Sequence, residues 1–223
     1  TSSNTNRVAN ATAVIADVTL GAMKSITTYA GNEGEEKAQK TYNYNFDGDQ
    51  IKTITSFTYT NDALTLSVTN RAANVTGDTA AVTIGAIRSE TIYTGNEGEE
   101  KAQKTYNYNF DGSAIKTTTT FSYTLDALSS SVTVKGEDGI VKQSETIYTG
   151  NEGEEKATKT YSYNFAGDAI KTVTEFFYTN DALTSSNTNR VANATAVIAD
   201  VTLGAMKSIT TYAGNEGEEK AQK

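Results

Sequence analysis

The sequence predicts an all-β fold, with antiparallel strands in tandem repeats forming an extended sheet, a tube or a spiral solenoid. Three observations predict it. Residues 1 to 40 recur letter for letter as residues 184 to 223, which sets a long period of 184 − 1 = 183. Within that period the string GNEGEEKA begins at Gly31, Gly95, Gly150 and Gly214, at spacings of 95 − 31 = 64, 150 − 95 = 55 and 214 − 150 = 64. Periods of this size mark repeats that bury their apolar faces by stacking on their neighbours. The composition is threonine-rich, Tyr (13) outnumbers Phe (7), and Pro, Cys, His and Trp are absent, which suits a pleated, half-buried surface.

These marks divide the chain. Residues 1–31 close a 64-residue repeat, 32–95 form a full unit, 96–150 a short unit, 151–214 a second full unit, and 215–223 open the next. The chain thus reads as a window on a longer array. It opens at Thr1 with no initiator Met and no signal sequence, as expected of a mature or excised segment, so targeting is not readable from it.

Each unit is expected to hold four strands. MKSITTYA, IRSETIYT and VKQSETIYT form the strand before each GNEGEEKA loop. In TYNYNF, Tyr42, Tyr44 and Phe46 share one face and Thr41, Asn43 and Asn45 the other, because strand side chains alternate with period two. The candidate core is therefore Tyr42, Tyr44 and Phe46 with their copies Tyr106, Tyr108, Phe110, Tyr161, Tyr163 and Phe165. After a DGD, DGS or AGD turn, Ile51, Thr53, Thr55, Phe57 and Tyr59 line up opposite Lys52, Ile54, Ser56 and Thr58, which makes a hairpin. SSSVTVK and the GEDG turn complete the short unit as a plain meander. The longer units add 64 − 55 = 9 residues ahead of the next strand. There Val191, Ala194, Val197, Ile198 and Val201 have helical spacing, but the β-branched residues favour irregular loop and strand. A flat ribbon would leave its Tyr and Phe row wet, so the row must be covered by curling or by a second chain.

At these residues a resemblance emerges. Tyr42, Tyr44, Asn45, Gly48 and Ile51 look like the YD repeat of Rhs-type and teneurin-type proteins, which build a spiralling β-strand shell. They also resemble the long tandem β-repeats of very large bacterial surface proteins. The similarity covers about 20 residues per unit; Asn stands where the family has Asp, and the apolar residue lies one position further on. What the resemblance implies is a secreted or surface scaffold.

Several function classes are disfavoured. With no His, no Cys, no metal-ligand cluster and no phosphate-cradling glycine motif, the chain is not expected to be an enzyme or to need a cofactor. A net charge of −8 disfavours nucleic acid, and no run of about 18 apolar residues marks a membrane span. Clustered acids at Glu33, Glu35, Glu36, Asp47 and Asp49 raise the question of calcium. Yet Ser113 replaces Asp49 and Ala166 replaces Asp47 in other copies, so solvated turns are the expectation. GNEGEEKA stays intact in every copy, and its acids are expected to pair with Lys of an adjacent unit, making a lateral contact or turn-to-turn seam. Sequons at Asn10, Asn74 and Asn193 are candidate glycosylation sites, and an Asx-turn explains them equally well.

The functional expectation is an extracellular or cell-surface filament, tube or stalk whose partner is itself, through neighbouring repeats or copies of the chain, with glycan as a further candidate. The alternative is a carbohydrate- or wall-binding adhesive module using Tyr rows. Tyr side chains buried as core favour the first, and an open aromatic groove favours the second.

Overall fold

The computed structural model of the chain describes residues 1–10, 12 and 14–222. Fifteen strands are described: β1 (Ser2–Val8), β2 (Leu20–Ala30), β3 (Lys37–Tyr44), β4 (Ile51–Thr60), β5 (Ala63–Ala72), β6 (Ile84–Thr94), β7 (Lys101–Tyr108), β8 (Ile115–Thr124), β9 (Ala127–Lys135), β10 (Lys142–Thr149), β11 (Lys156–Tyr163), β12 (Ile170–Thr179), β13 (Ala182–Val191), β14 (Leu203–Ala213) and β15 (Lys220–Ala221). The fold is all-β, and the pairing is antiparallel.

Two compact units, residues 1–116 and 117–223, divide the chain. In the first, β1 to β7 pair each with the next. In the second, β8 to β15 do the same. Short connections between sequential strands leave antiparallel pairing as the natural outcome.

The turns explain why the chain reverses where it does. Asn61 and Asp62, Leu125 and Asp126, and Asn180 and Asp181 all have positive φ, near 49° and 67°, and each pair forms a two-residue hairpin turn matched to strand twist. Gly31, at φ 132°, opens the GNEGEEKA loop, and a Cβ there would stand 2.6 Å from the Glu35 carbonyl oxygen. Only glycine meets both demands.

Thr41 pairs with Thr27 and Thr55, and its neighbour Tyr42 pairs with Ile26 and Ile54, so the two rows occupy opposite faces. On the threonine face the hydroxyls bond across hairpins, as in Thr27 to Thr41, Thr55 to Thr69, Thr146 to Thr160 and Thr174 to Thr188, each at 2.9 Å. Such pairs contribute about 0.2–1 kcal/mol each.

The apolar face departs from strict alternation. Asn43 pairs with Thr53 but Tyr44 pairs with Ile51, which makes Lys52 an extra residue in a β-bulge. The bulge resets the pleat, and Ile51 and Ile54 are both buried. In the second unit Ile170 and Val173 repeat this, packed with Tyr161 and Tyr163, each 8% exposed. Burial of each such aliphatic side chain stabilises by about 1.5–3 kcal/mol.

Phe46, Phe110 and Phe165 are a correction to the expected core, since they stand 79%, 82% and 90% exposed. The strands end at Tyr44, Tyr108 and Tyr163, and each Phe sits in the turn beyond, where alternation no longer applies. A cation covers each ring instead: Arg7 at 5.0 Å, Arg71 at 4.9 Å and Lys135 at 3.4 Å from the centroid. Tyr42, Tyr44, Tyr106 and Tyr108 are half-buried.

The insertion loops provide cover for this face. The Ile51 amide donates to the Thr76 carbonyl at 2.8 Å, and the Tyr44 hydroxyl to the Gly77 carbonyl at 2.8 Å, which fastens residues 73–83 over the β3–β4 hairpin. In the second unit Ile198 and Val201 lie on the Tyr161, Tyr163, Ile170 and Val173 cluster, and the Ile170 amide donates to the Thr195 carbonyl at 2.7 Å. The helical spacing of Val191, Ile198 and Val201 therefore reports a shared burial. The insertion is loop with one short 3-10 turn, Ile198–Asp200. The short unit has no insertion, and there Thr118 takes the place of Ile54 and Val173. Its buried hydroxyl lies between the carbonyls of Gly136 and Glu137, at 2.6 and 2.8 Å.

Candidate functional site

The feature that recurs intact is the GNEGEEKA loop with the two-residue turn beside it. The loop is shaped from within. The Glu35 amide donates to the Asn32 carbonyl at 3.0 Å, and the Gly34 amide to a Glu36 carboxylate oxygen at 2.9 Å. Glu36 is thereby turned inward, while Glu33 is left to project.

Between successive loops the charges interlock. Lys37, the first residue of β3, holds Asp62 of the turn at 3.0 Å and Glu97 of the next loop at 2.9 Å. Lys156 repeats this with Asp181 at 2.7 Å and Glu216 at 3.3 Å. Desolvation opposes the charge on Lys37, but hydrogen bonds to Glu97 and Asp62 outweigh it and hold its pKa above the ordinary value. For Lys156 the Asp181 hydrogen bond is the largest cause, again upward.

A second contact fastens loop to turn. The Leu64 amide donates to Glu100 Oε1 at 2.8 Å, and the Leu183 amide to Glu219 Oε1 at 2.9 Å. In the short repeat Leu128 donates to Glu155 at 2.9 Å. The backbone donors Leu64 and Leu183 hold these two glutamates below the usual carboxylate range. The expected pairing of loop acids with Lys of an adjacent unit is met by Glu97 and Glu216. The part of the turn aspartates and the leucine amides was not foreseen. Its signal is the constant DAL that follows each strand pair.

The seam encloses a cleft of 660 Å³ lined by Asn32, Glu35, Lys37, Tyr59, Asp62 and Glu97 among others. A cleft of 580 Å³ in the second unit has the matching set Asn151, Glu154, Lys156, Tyr178, Asp181 and Glu216. The lysine in each is neutralised by its carboxylates, an arrangement suited to joining loops. Among the described residues no group of three or more His, Cys, Asp or Glu is placed to hold a metal ion.

The remaining sequence candidates have local roles. Asn45 and Asn164 donate to Asp49 and Asp168 at 2.7 Å, closing the turns after β3 and β11. The sequon asparagines brace the insertions. Asn10 donates to the Asp17 carbonyl at 2.7 Å and accepts from the Thr19 amide at 2.7 Å. Asn74 and Asn193 do likewise, with Ala81 and Thr83, and with Asp200 and Thr202. Ala11, the middle residue of the first sequon, lies outside the described residues. The cations over the phenylalanines are a further set not foreseen. Arg7 donates to the carbonyls of Met23, Asn45 and Phe46, and Lys135 to that of Phe165.

No protein-family model matches the sequence, and no curated protein matches it. Among solved structures the chain is similar to a porin-like protein from Bacteroides uniformis, aligned over 89% of this chain and 88% of that one, at 13% identity and a TM-score of 0.23. A likeness at that score carries no functional argument. Among the described residues no helix is long and apolar enough to cross a membrane, which says nothing of a β-barrel.

Proposed function

We propose that this chain is a segment of an extracellular or cell-surface scaffold, a filament, tube or stalk that lengthens by adding β-hairpin repeats. One observation carries the reading: the apolar face of a hairpin is closed by the segment that leads into the next repeat. Thr76 and Gly77 fasten over Ile51 and Tyr44, and Ile198 and Val201 pack over Tyr161, Tyr163, Ile170 and Val173. Each long unit thus closes its own hairpin with the insertion that delivers the chain to the next loop, and unit is joined to unit by strand pairing, the nearest-neighbour logic of a one-dimensional array. The loop seam adds a second link, through Lys37 to Glu97 and Lys156 to Glu216.

The burial of Tyr161 and Tyr163 supports scaffold over a carbohydrate-stacking surface, which needs open aromatic faces. Electron microscopy of the isolated native material tests the proposal. The expected result is a regular fibre whose repeat is commensurate with three units. Compact monodisperse particles of the 23.8 kDa chain would overturn it.

A further inference from the structure

The two ends of the strands carry complementary chemistry at one period. β3 runs from Lys37 to Tyr44, so the GNEGEEKA seam stands at one end of a hairpin and the Phe46 turn at the other. Lys37, Lys101 and Lys156 follow one another at 101 − 37 = 64 and 156 − 101 = 55 residues. Phe46, Phe110 and Phe165 do the same, at 110 − 46 = 64 and 165 − 110 = 55.

The seam end has negative charge to spare. Glu35, Asp62 and Glu97 line the first cleft against the one cation Lys37, and Tyr59 gives it an aromatic wall. Glu154, Asp181 and Glu216 line the second against Lys156, with Tyr178 as the wall. Asp62 and Glu97 both meet Lys37, yet 74% and 64% of their side chains remain in solvent, so a further cation has room to reach them.

The turn end is aromatic and cationic. Phe46, Phe110 and Phe165 stand out from their turns, and since Phe110 and Phe165 lie in mid-chain, their exposure of 82% and 90% belongs to the turn itself. Arg7, Arg71 and Lys135 each back one face of a ring. Carbonyls hold those cations in place: Asn45 and Phe46 accept from Arg7, and Phe165 accepts from Lys135. An exposed lysine, Lys52, Lys116 or Lys171, follows each turn. These cations balance Asp47 and Asp49 at the first turn and outnumber the lone Asp111 and Asp168 at the other two.

We propose that the cation-backed phenylalanine turns of one copy of this chain seat in the seam clefts of a second copy, joining the two side by side. The free ring face meets Tyr59 or Tyr178, and the guanidinium or ammonium behind it answers the surplus carboxylates. At 660 and 580 Å³ the clefts fall within the range of about 300–1,000 Å³ that encloses a ligand group. The occupant is a second copy because charge and aromatic character match between the two ends, and because turn and cleft share their intervals. Seating one turn therefore brings the next toward its own cleft, and weak contacts add along the array. A plug and a pocket at opposite ends of one molecule make a heterologous contact that does not close on itself, so the arrays widen copy by copy.

This side-by-side contact deepens the scaffold reading and rests on it. Its failure would leave single, unjoined arrays standing in native material, whereas compact native particles would sink the scaffold itself. The chain has no cysteine, so a disulfide can report the seated pair. Asp47 neighbours Phe46, and the exposed Thr58 lines the first cleft. Full-length chains carrying Asp47→Cys and Thr58→Cys are mixed at low salt and oxidised. The expected product is a disulfide-linked heterodimer several-fold above the homodimer background of either chain.

Its yield should return to background when the Asp47→Cys chain also carries Phe46→Ser, an exposed change that leaves the circular dichroism of the chain intact. It should fall when the Thr58→Cys chain carries Glu35→Lys, and again at high salt, which screens the charges. A heterodimer at background, or a yield indifferent to both Phe46→Ser and Glu35→Lys, overturns the proposal. Should Asp47→Cys disturb the turn, Lys52→Cys on the strand beyond it supplies the same test.

Discussion

Lys37 lies 2.9 Å from Glu97, and the two belong to successive copies of the same loop, with Asp62 of the intervening turn held by the same ammonium at 3.0 Å. One cation between two carboxylates from different hairpins fixes the spacing of those hairpins at the loop end. The acids are largely exposed, so the contact is screened by salt and its strength is that of a small network. Lys37→Met should lower the melting temperature of the chain and reduce the dependence of that temperature on salt concentration. Calorimetry at low and high salt checks both, and an unchanged salt dependence would contradict the seam.

The short repeat offers a sharper test. Thr118 occupies the position filled by Ile54 and Val173 in the longer units, yet it is buried with its hydroxyl between the Gly136 and Glu137 carbonyls. Thr118→Val keeps the shape and removes the donor, leaving the carbonyl it served unsatisfied. The expected cost is about 1–3 kcal/mol in denaturant unfolding. An insertion-bearing unit should tolerate the same residue, since Val173 is already valine.

Leu125 holds φ 49°, the left-handed region, where its counterparts Asn61 and Asn180 are asparagine. A branched apolar side chain gains nothing there, being exposed. Leu125→Asn should stabilise by about 1 kcal/mol, because asparagine visits this region at far lower cost. Unfolding in denaturant measures it; a destabilised variant would mean that the leucine makes a contact outweighing its strain.

These positions also mark what was legible in the sequence. The repeat, the strand count per unit and the Gly31 loop follow from letters that recur, because turns and alternation are local properties. Burial of Tyr161 and Tyr163 was readable for the same reason. Phe46 was misplaced because alternation was carried two residues past Tyr44, into a turn where the ring meets Arg7 from a strand two places away. The pairing of Ile51 with Ile54 on one face needed the bulge at Lys52, which depends on cross-strand register and leaves no mark in either strand alone. The cover was sought in curling or a second chain. In the two long units the insertion contributes cover of its own, and its Val191, Ile198 and Val201 showed apolar spacing but no regular element to place them.

Two equivalent tyrosines differ in a way that substitution can read. Tyr44 donates to the Gly77 carbonyl at 2.8 Å, while the buried Tyr163 hydroxyl has no hydrogen-bond partner among the described residues. Tyr44→Phe should therefore cost about 0.5–1.5 kcal/mol, the net value of a made hydrogen bond. Tyr163→Phe should be neutral or stabilising, since it removes an unsatisfied polar atom. Equal costs at both positions, measured by thermal or denaturant unfolding, would refute the distinction.

Acid should open the seam from its glutamates. The Leu64 amide holds Glu100, and the Leu183 amide holds Glu219, below the ordinary carboxylate range. A group whose pKa is lowered by folding contributes stability that is complete above its unfolded value and is lost as pH falls through the folded one. The contribution is therefore intact at neutral pH and disappears below about pH 4. Lys37 and Lys156 have raised values, so their share is complete below about pH 10 and lost only as pH rises through the raised values. Hydrogen exchange at the Leu64 and Leu183 amides, corrected for intrinsic rates, should quicken on acidification through the carboxylate range. The Thr41 and Thr160 amides, within β3 and β11, should stay protected over the same interval, because each lies in a strand paired on both sides.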